Sequence, residues 1–257
     1  MPPTDLTIDR RDAILVLTLN RPEDANRINE HLASALRDAF LQADQDERVR
    51  VVVVTGVGPV FSEGSSISLP EAATADLEGL LDRHTVARDL ARVTKPVIAA
   101  INGSAFDQGL ELALACDIRL ASEEASLGFP MTTKGELPWD GGTQRLPRIA
   151  GRATAMDLLL TGRTVDATQA LRLGLVHQVL PTERVWEEAL SLAARIARQA
   201  PIATRYAKEA VIKGLDMPLE PGLRLEADLS FLLHNTGDRA EGLRSFSEKR
   251  DPEFRGE

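Results

Sequence analysis

The sequence is poor in cysteine, in aromatic residues and in long apolar runs, and each shortage excludes a class of protein. Its single cysteine, Cys116, cannot form an internal disulfide, so nothing indicates an oxidising compartment. This thiol lies in an apolar segment and is predicted to be inert. No run approaches the roughly 20 apolar residues that a membrane span needs, and residues 1–11 lack the apolar core of a signal peptide. A cytoplasmic protein with no membrane partner is therefore expected.

Basic residues are also in deficit, with 30 Lys and Arg against 39 Asp and Glu and a formal net charge of -9. A nucleic-acid partner is not expected, because a general nucleic-acid surface needs a basic stripe. Local arginines can still hold the phosphates of a small ligand. No metal is expected, since no His, Cys and carboxylate cluster stands at ligand spacing. The four histidines, which are not at metal-ligand spacing either, are His31, His84, His177 and His234. A dinucleotide fingerprint and a G-x-S-x-G nucleophile elbow are also absent.

What the chain does contain is typical of a globular protein, with 43% hydrophobic and 27% charged residues. Three apolar runs, at residues 13–19, 49–55 and 96–101, predict strands that are buried on both faces. A helical pattern over residues 30–43 separates the first two runs, which indicates a βαβ crossover and a mostly parallel sheet. Beyond Gly151 helical patterns dominate. The fold class predicted is α/β.

The central segment, residues 95–122, is predicted to be a strand, a turn, a short helix and a second strand. Asp107 is expected to cap that helix, over residues 108–116. Within it Glu111 is surrounded by leucine and alanine. A carboxylate in such a setting costs several kcal/mol to desolvate unless it is paired or performs chemistry. On these residues alone, a structural and a catalytic glutamate are both open.

Two loops are candidates for function. Residues 61–67 are mostly small and follow a predicted strand, and ligands of open α/β sheets bind at such strand ends. Within this loop Gly64 can adopt a positive φ and turn successive N–H groups toward one point, although a plain surface loop is equally compatible. Residues 130–142 form a loop too long to be a simple connector. A helix interrupted near Pro147 is predicted to follow.

With these segments in this order, the chain resembles the crotonase family, the enoyl-CoA hydratase/isomerase superfamily. The landmarks are Arg21-Pro22 with the Asn26 region, and residues 61–67, 95–121, 141–146, 160–162, 170–176, 238–242 and 248–252. The resemblance implies a crotonase-like ββα spiral core with an acyl-CoA site over residues 1–200. It also implies a C-terminal helical trimerisation region over residues 201–257, in a homotrimer or homohexamer.

The family's chemistry stabilises the enolate of an acyl-CoA thioester with two backbone N–H groups. By position, the resemblance assigns these donors to Ser65 and Gln108, whose side chains are then expected to be free to vary. The Gln108 N–H fits this role, because the first turn of a helix has unpaired donors at the positive end of its dipole. Glu111 falls on the first of two glutamate positions used by the hydratases. The second is occupied by Met131, which cannot exchange a proton.

Asp140 is the candidate for a replacement catalytic acid, with capping of the helix that starts at Gly141-Gly142 as the alternative. Phe129 and Trp139 would line the acyl pocket or, alternatively, pack in the core. Glu136 is predicted to be a solvated charge.

The resemblance places the coenzyme A nucleotide near residues 21–29 and the 64–68 loop. Arg27 would then meet a phosphate, with Gly64, Ser66 and Ile67 beside it. No separate cofactor is expected, because coenzyme A is part of the substrate. The function predicted is reversible hydration of an α,β-unsaturated acyl-CoA. The alternatives are an enoyl-CoA isomerase, a carbon–carbon bond hydrolase, and a catalytically degenerate acyl-CoA binder.

Overall fold

The computed structural model of the protein describes residues 4–66 and 77–257, so Ile67 of the candidate loop lies outside the described residues. The strands are β1 (Leu6–Arg11), β2 (Ile14–Leu19), β3 (Val51–Gly56), β4 (Val60–Ser62), β5 (Val97–Ile101), β6 (Ser104–Phe106), β7 (Ile118–Ser122), β8 (Ser126–Gly128), β9 (Thr164–Asp166) and β10 (Gln178–Leu180). The helices are α1 (Glu30–Gln45), α2 (Leu77–His84), α3 (Ala87–Leu90), α4 (Asp107–Ala115), α5 (Gly142–Thr161), α6 (Ala167–Arg172), α7 (Thr182–Ala197), α8 (Pro201–Gly214), α9 (Leu219–Leu233) and α10 (Gly237–Glu248).

Two sheets organise the described chain. The larger has six strands in the order β1-β2-β3-β5-β7-β10. In it β1 is antiparallel to β2, and the other neighbours are parallel, as the strand–helix–strand pattern predicts. The smaller sheet has four strands in the order β4-β6-β8-β9, with only the β8–β9 pair antiparallel.

The central strands of the larger sheet are buried on both faces, as their unbroken apolar sequences predict. In β3, Val52 and Val54 belong to one core cluster, and Val51 and Val53 belong to the other. The second cluster is closed by an apolar face of α7. Full burial of an aliphatic side chain contributes roughly 1.5–3 kcal/mol. The two-sided core therefore fixes β5 and β7, the strands of the larger sheet that precede and follow α4 in the chain.

Several helix boundaries differ from the sequence-based expectation. The interruption in α5 lies at Gly151, with φ 80° and ψ 158°, and not near Pro147, which is inside the helix. The sequence pattern of residues 71–92 predicts a single helix. Residues 71–76 lie outside the described part, and the remainder contains two helices, α2 and α3. Among the described helices, none is long and apolar enough to cross a membrane. The division of the chain at residue 200 stays a prediction.

Candidate active site

The helix α4 begins at Asp107, in an unusual backbone conformation. Asp107 has φ 49°, a left-handed value that is uncommon for a residue other than glycine. Its carboxyl oxygen Oδ1 accepts the N–H of Met131 at 3.0 Å. The N-cap position is Phe106, and no side chain caps the helix. The expectation that Asp107 caps α4 is therefore wrong, because its carboxyl is bound to the neighbouring 130–134 segment instead.

The loop after β4 packs directly on the first turn of α4, and two glycines permit the approach. A Cβ on Gly109 would lie 2.2 Å from the main-chain oxygen of Ser62. A Cβ on Gly64, whose φ is 100°, would lie 3.1 Å from the Cβ of Asp107. The segment of Ser65 and the helix start that contains Gln108 are thus brought together, as the assignment of both to one oxyanion site requires.

Hydrogen bonds with the segment before α1 fix the position of this loop. The Ile28 N–H donates to the Gly64 oxygen at 2.8 Å, and the Ser66 N–H donates to the Ile28 oxygen at 3.0 Å. Asn26 is fully buried, and its side-chain amide donates to the main-chain oxygens of Val57 and Val60. These bonds join the loop and the start of β4 to the segment before α1.

Glu111 lies one turn further along α4 and is 0% exposed. Its Oε1 accepts the main-chain N–H groups of Asp140 at 2.8 Å and of Gly142 at 2.7 Å. Its Oε2 is also buried and has no hydrogen-bond partner in the described part of the chain. Burial, with a smaller contribution from the Asp140 charge, raises the pKa of Glu111 to about 8, against the lowering effect of the two N–H bonds. A carboxyl with this pKa can both take and give a proton near neutral pH.

Asp140 is buried, and both of its carboxyl oxygens are engaged. Oδ2 accepts the N–H groups of Val86 at 2.7 Å and Ala87 at 2.8 Å, and Oδ1 accepts that of Arg88 at 3.0 Å. Its carboxylate therefore holds the first turn of α3. The alternative that it caps its own helix is wrong, because the N-cap of α5 is Gly141, with no side-chain bond. Burial raises the pKa of Asp140, and the three N–H bonds oppose that rise.

The side chain of Gln108 is held by hydrogen bonds of its own, and whether its identity can vary stays a prediction. It is buried, and its Nε2 donates to the His84 main-chain oxygen at 2.6 Å and to Asp140 Oδ2 at 3.3 Å. Its Oε1 has no partner within the described residues. The sequence carried no local signal for these contacts, since the partners are 24 and 32 residues away.

Arg145 is a residue of the site that the sequence did not predict. Arg145, on α5, donates from Nη1 to the Asp140 main-chain oxygen at 2.8 Å and from Nη2 to the Ala87 oxygen at 3.2 Å. It is half-buried and lies close enough to Glu111 for its charge to act on that carboxyl. A positive charge beside two buried carboxyl groups offsets part of their desolvation cost.

The expected pocket residues have different environments. Phe129 is fully buried in the main core cluster, and its ring would be 2.8 Å from a Cβ on Gly142. Trp139 is half-buried, Met131 is buried, and Glu136 is exposed as predicted.

The expected coenzyme A segment forms a charged network beside the loop. Arg27 lies 3.4 Å from Asp24 and 3.6 Å from Glu63 across two ion pairs. The Ser66 hydroxyl donates to Asp24 at 2.7 Å and accepts from Arg21 at 3.1 Å. Arg27 thus lies against the loop that contains Gly64 and Ser66. The contact of Arg27 and Ser66 with a ligand stays a prediction.

A cavity and the question of a metal site complete the description. A cavity of about 250 Å³ opens between α1 and the α3 region, away from Glu111, and is lined by Arg37, Phe40, Leu41, Asp44, Asp89, Arg92 and Val93. In residues 4–66 and 77–257, no group of three or more His, Cys, Asp or Glu side chains is arranged to hold a metal ion.

The chain is similar to known proteins over nearly its whole length. The sequence model of the enoyl-CoA hydratase/isomerase family matches residues 9–257. The chain is 39% identical to the 2,3-dehydroadipyl-CoA hydratase of Escherichia coli over 255 residues, which cover 98% of this chain and 99% of that protein. It is 38% identical to the (E)-benzylidenesuccinyl-CoA hydratase of Thauera aromatica, with 98% and 99% covered. The crystal structure of an enoyl-CoA hydratase from Bacillus anthracis superposes with a TM-score of 0.92 at 39% identity, covering 98% of this chain and 100% of that one.

Proposed function

Because the chain belongs to the enoyl-CoA hydratase/isomerase family, we propose that it adds water reversibly to an α,β-unsaturated acyl-CoA. The crotonase-like α/β fold expected from the sequence is confirmed by the solved enoyl-CoA hydratases that it matches. The observation that carries the proposal is Glu111. It is a buried carboxyl with one oxygen held by two N–H groups and the other without a partner among the described residues.

In this proposal the thioester oxygen lies between the N–H groups of Ser65 and Gln108. The close packing of Gly64 on Asp107 supports it, because it brings the two segments to one place. The N–H of Gln108 belongs to the first turn of α4, where helix donors have no intrahelical acceptor. Such a donor contributes about 2.7–4 kcal/mol to stabilisation of an oxyanion in the transition state.

Glu111 is proposed to make both proton transfers. As the water oxygen bonds to Cβ, one water proton passes to Oε2 of Glu111 and the thioester becomes an enolate. The protonated carboxyl then returns that proton to Cα, which completes the addition of one water molecule and restores the carboxylate. Met131 cannot share this work. Asp140, the other candidate acid, has both carboxyl oxygens bonded to main-chain N–H groups, which favours Glu111 for the second transfer.

The remaining contacts of the substrate follow the same proposal. Arg27 is half-exposed beside the Gly64 loop and would meet a phosphate of coenzyme A by exchanging its weak ion pairs. Trp139 would border the acyl group, whereas the full burial of Phe129 in the main core cluster favours its core-packing alternative. No separate cofactor is needed.

The C-terminal helices support the proposed homotrimer or homohexamer. Large apolar side chains are exposed along α8, α9 and α10, which a monomer in water does not favour. Phe231 is 70% exposed and Phe246 is 87% exposed. The others in or beside these helices are Val211, Ile212, Leu215, Met217, Leu219, Leu223, Leu232 and Leu243. A second copy of the chain would cover them.

A second candidate is favoured by Met131. With one acid/base group, the same enolate can be reprotonated at another carbon, which makes the protein an isomerase. A carbon–carbon bond hydrolase that uses Asp140, and a degenerate acyl-CoA binder, remain the further alternatives.

The experiment that separates these functions is a product analysis by mass spectrometry. The protein is incubated with a 2-enoyl-CoA, a 3-enoyl-CoA and a cyclic β-dicarbonyl compound. We expect the 2-enoyl-CoA to gain the mass of one water molecule. A shifted double bond at unchanged mass would establish the isomerase, and a hydrolysed ring would establish the hydrolase. Tight binding of the CoA esters with no product from any of the three would contradict catalysis.

A further inference from the structure

Asp140 is the point at which three parts of the site are joined. Its carboxylate accepts three N–H groups from the segment that starts α3 and one from the side chain of Gln108. Its own main-chain N–H donates to Oε1 of Glu111 at 2.8 Å. The loop of Asp140 is therefore fastened to α3 on one side and to the acid/base group on the other.

This connection determines how the Glu111 carboxyl is presented. Oε1 is held by the N–H groups of Asp140 and Gly142, which leaves Oε2 as the oxygen available for proton transfer. The N–H groups can hold Oε1 only while the loop keeps its position. Because Asp140 and Val86 are 54 residues apart in sequence, the carboxylate of Asp140 makes a tertiary contact and not a local turn.

We propose that Asp140 is a positioning residue: its carboxylate anchors the 138–142 loop to the first turn of α3, so that the loop presents two N–H groups to one oxygen of Glu111. The proposal rests on the proposed function only in taking Glu111 as the acid/base. Displacing the loop would turn the Glu111 carboxyl, and small misplacements of a reacting group lower rates steeply.

The charge of Asp140 has a second consequence, which distinguishes positioning from mere structural support. Among the described residues, the charged groups that act on the Glu111 carboxyl include Asp140 on the loop and Arg145 on α5. Asp140 opposes ionisation of Glu111 and Arg145 favours it. Asparagine at this position removes the charge and keeps one oxygen to accept the N–H groups of Val86 and Ala87, but it loses the acceptor of the Arg88 N–H. With most of the anchor kept, Glu111 should ionise at lower pH.

The test compares Asp140→Asn with Asp140→Ala, and uses Asp166→Asn as the control. Asp166 caps α6 through the Gln169 N–H at 2.7 Å and is not part of the site. The titration of Glu111 is followed in the full-length protein by the infrared band of its protonated carboxyl, which is assigned by its loss in Glu111→Gln. Hydration kinetics are measured on the same samples.

Asp140→Asn should lower the titration midpoint of Glu111 by at least about 0.5 pH units. Asp140→Ala should lower kcat by at least about tenfold, with KM changed by less than about twofold. Asp166→Asn should change neither the midpoint nor kcat. Wild-type kcat in a folded Asp140→Ala would overturn the proposal, and if that variant fails to fold, a wild-type midpoint together with wild-type kcat in Asp140→Asn would overturn it. The infrared result does not require turnover, so failure of the hydratase assignment would be recognised separately.

Discussion

Replacing Glu111 by glutamine is expected to lower kcat for a 2-enoyl-CoA by about 10²–10⁴-fold, the contribution of a positioned general acid/base. Glutamine keeps the volume of the side chain, and its oxygen can still accept the N–H groups of Asp140 and Gly142. It cannot take a proton from water. Binding of the acyl-CoA should therefore stay within about twofold of the wild type, since the oxyanion donors are main-chain groups.

A matched control for this variant lies in the neighbouring loop. Glu136 is exposed, so Glu136→Gln removes the same type of group and the same charge without touching Glu111. Its turnover should equal that of the wild type. If Glu111→Gln keeps more than about a tenth of the wild-type kcat, its loss is less than about tenfold. A loss that small would contradict a role in proton transfer, because general acid/base catalysis contributes about 10²–10⁴-fold.

The same substitution should stabilise the fold at neutral and alkaline pH. The pKa of Glu111 is raised from the ordinary 4.5 to about 8 in the folded protein, chiefly by burial. Between these values the unfolded chain has lost the proton and the folded protein still holds it. The contribution of Glu111 to the free energy of unfolding is thus fully present below pH 4.5 and is lost as the pH rises from there through about 8. Glutamine does not ionise, so the variant does not lose stability in this way as the pH rises.

The magnitude follows from about 1.4 kcal/mol for each unit of pKa difference, which gives up to about 5 kcal/mol at alkaline pH. Urea unfolding at one fixed protein concentration, at about pH 5 and about pH 8.5, measures the free energies of unfolding. We expect the two proteins to be nearly equal at the acid value, and Glu111→Gln to be more stable by several kcal/mol at the alkaline value. Parallel pH dependences of the two proteins would contradict the burial of an ionisable Glu111.

The sequence predicted the elements that have a strong local pattern. The runs that became β2, β3 and β5 are buried on both faces and had to be apolar throughout. The central helix was also expected, with Glu111 inside it. By contrast β4, β6 and β9 have only three residues each, which is too short for any periodicity to be recognised. The exposed edge strand β1 has a single buried residue, and so gave no apolar signal.

The parts of the site that sequence reasoning did not find are tertiary contacts. Asp140 precedes two glycines, which suits a local cap, yet its carboxylate bonds to Val86, Ala87 and Arg88, more than 50 residues earlier. Asp107 stands where a cap belongs, but a positive φ directs its carboxyl to Met131. In both cases the partner is a main-chain N–H, which every residue except proline carries, so no residue type in the sequence can mark it.

The central claim is that one carboxyl, Glu111, performs both proton transfers of a hydration. The pH dependence of kcat/KM for a 2-enoyl-CoA tests it most directly, because this quantity reports the ionisation of the free enzyme's acid/base groups. A single carboxylate base with a pKa of about 8 predicts a rate that rises about tenfold per pH unit on the acid side and is level above that pKa. A bell-shaped profile would require a second group, and a flat profile would exclude Glu111; either result would contradict the account.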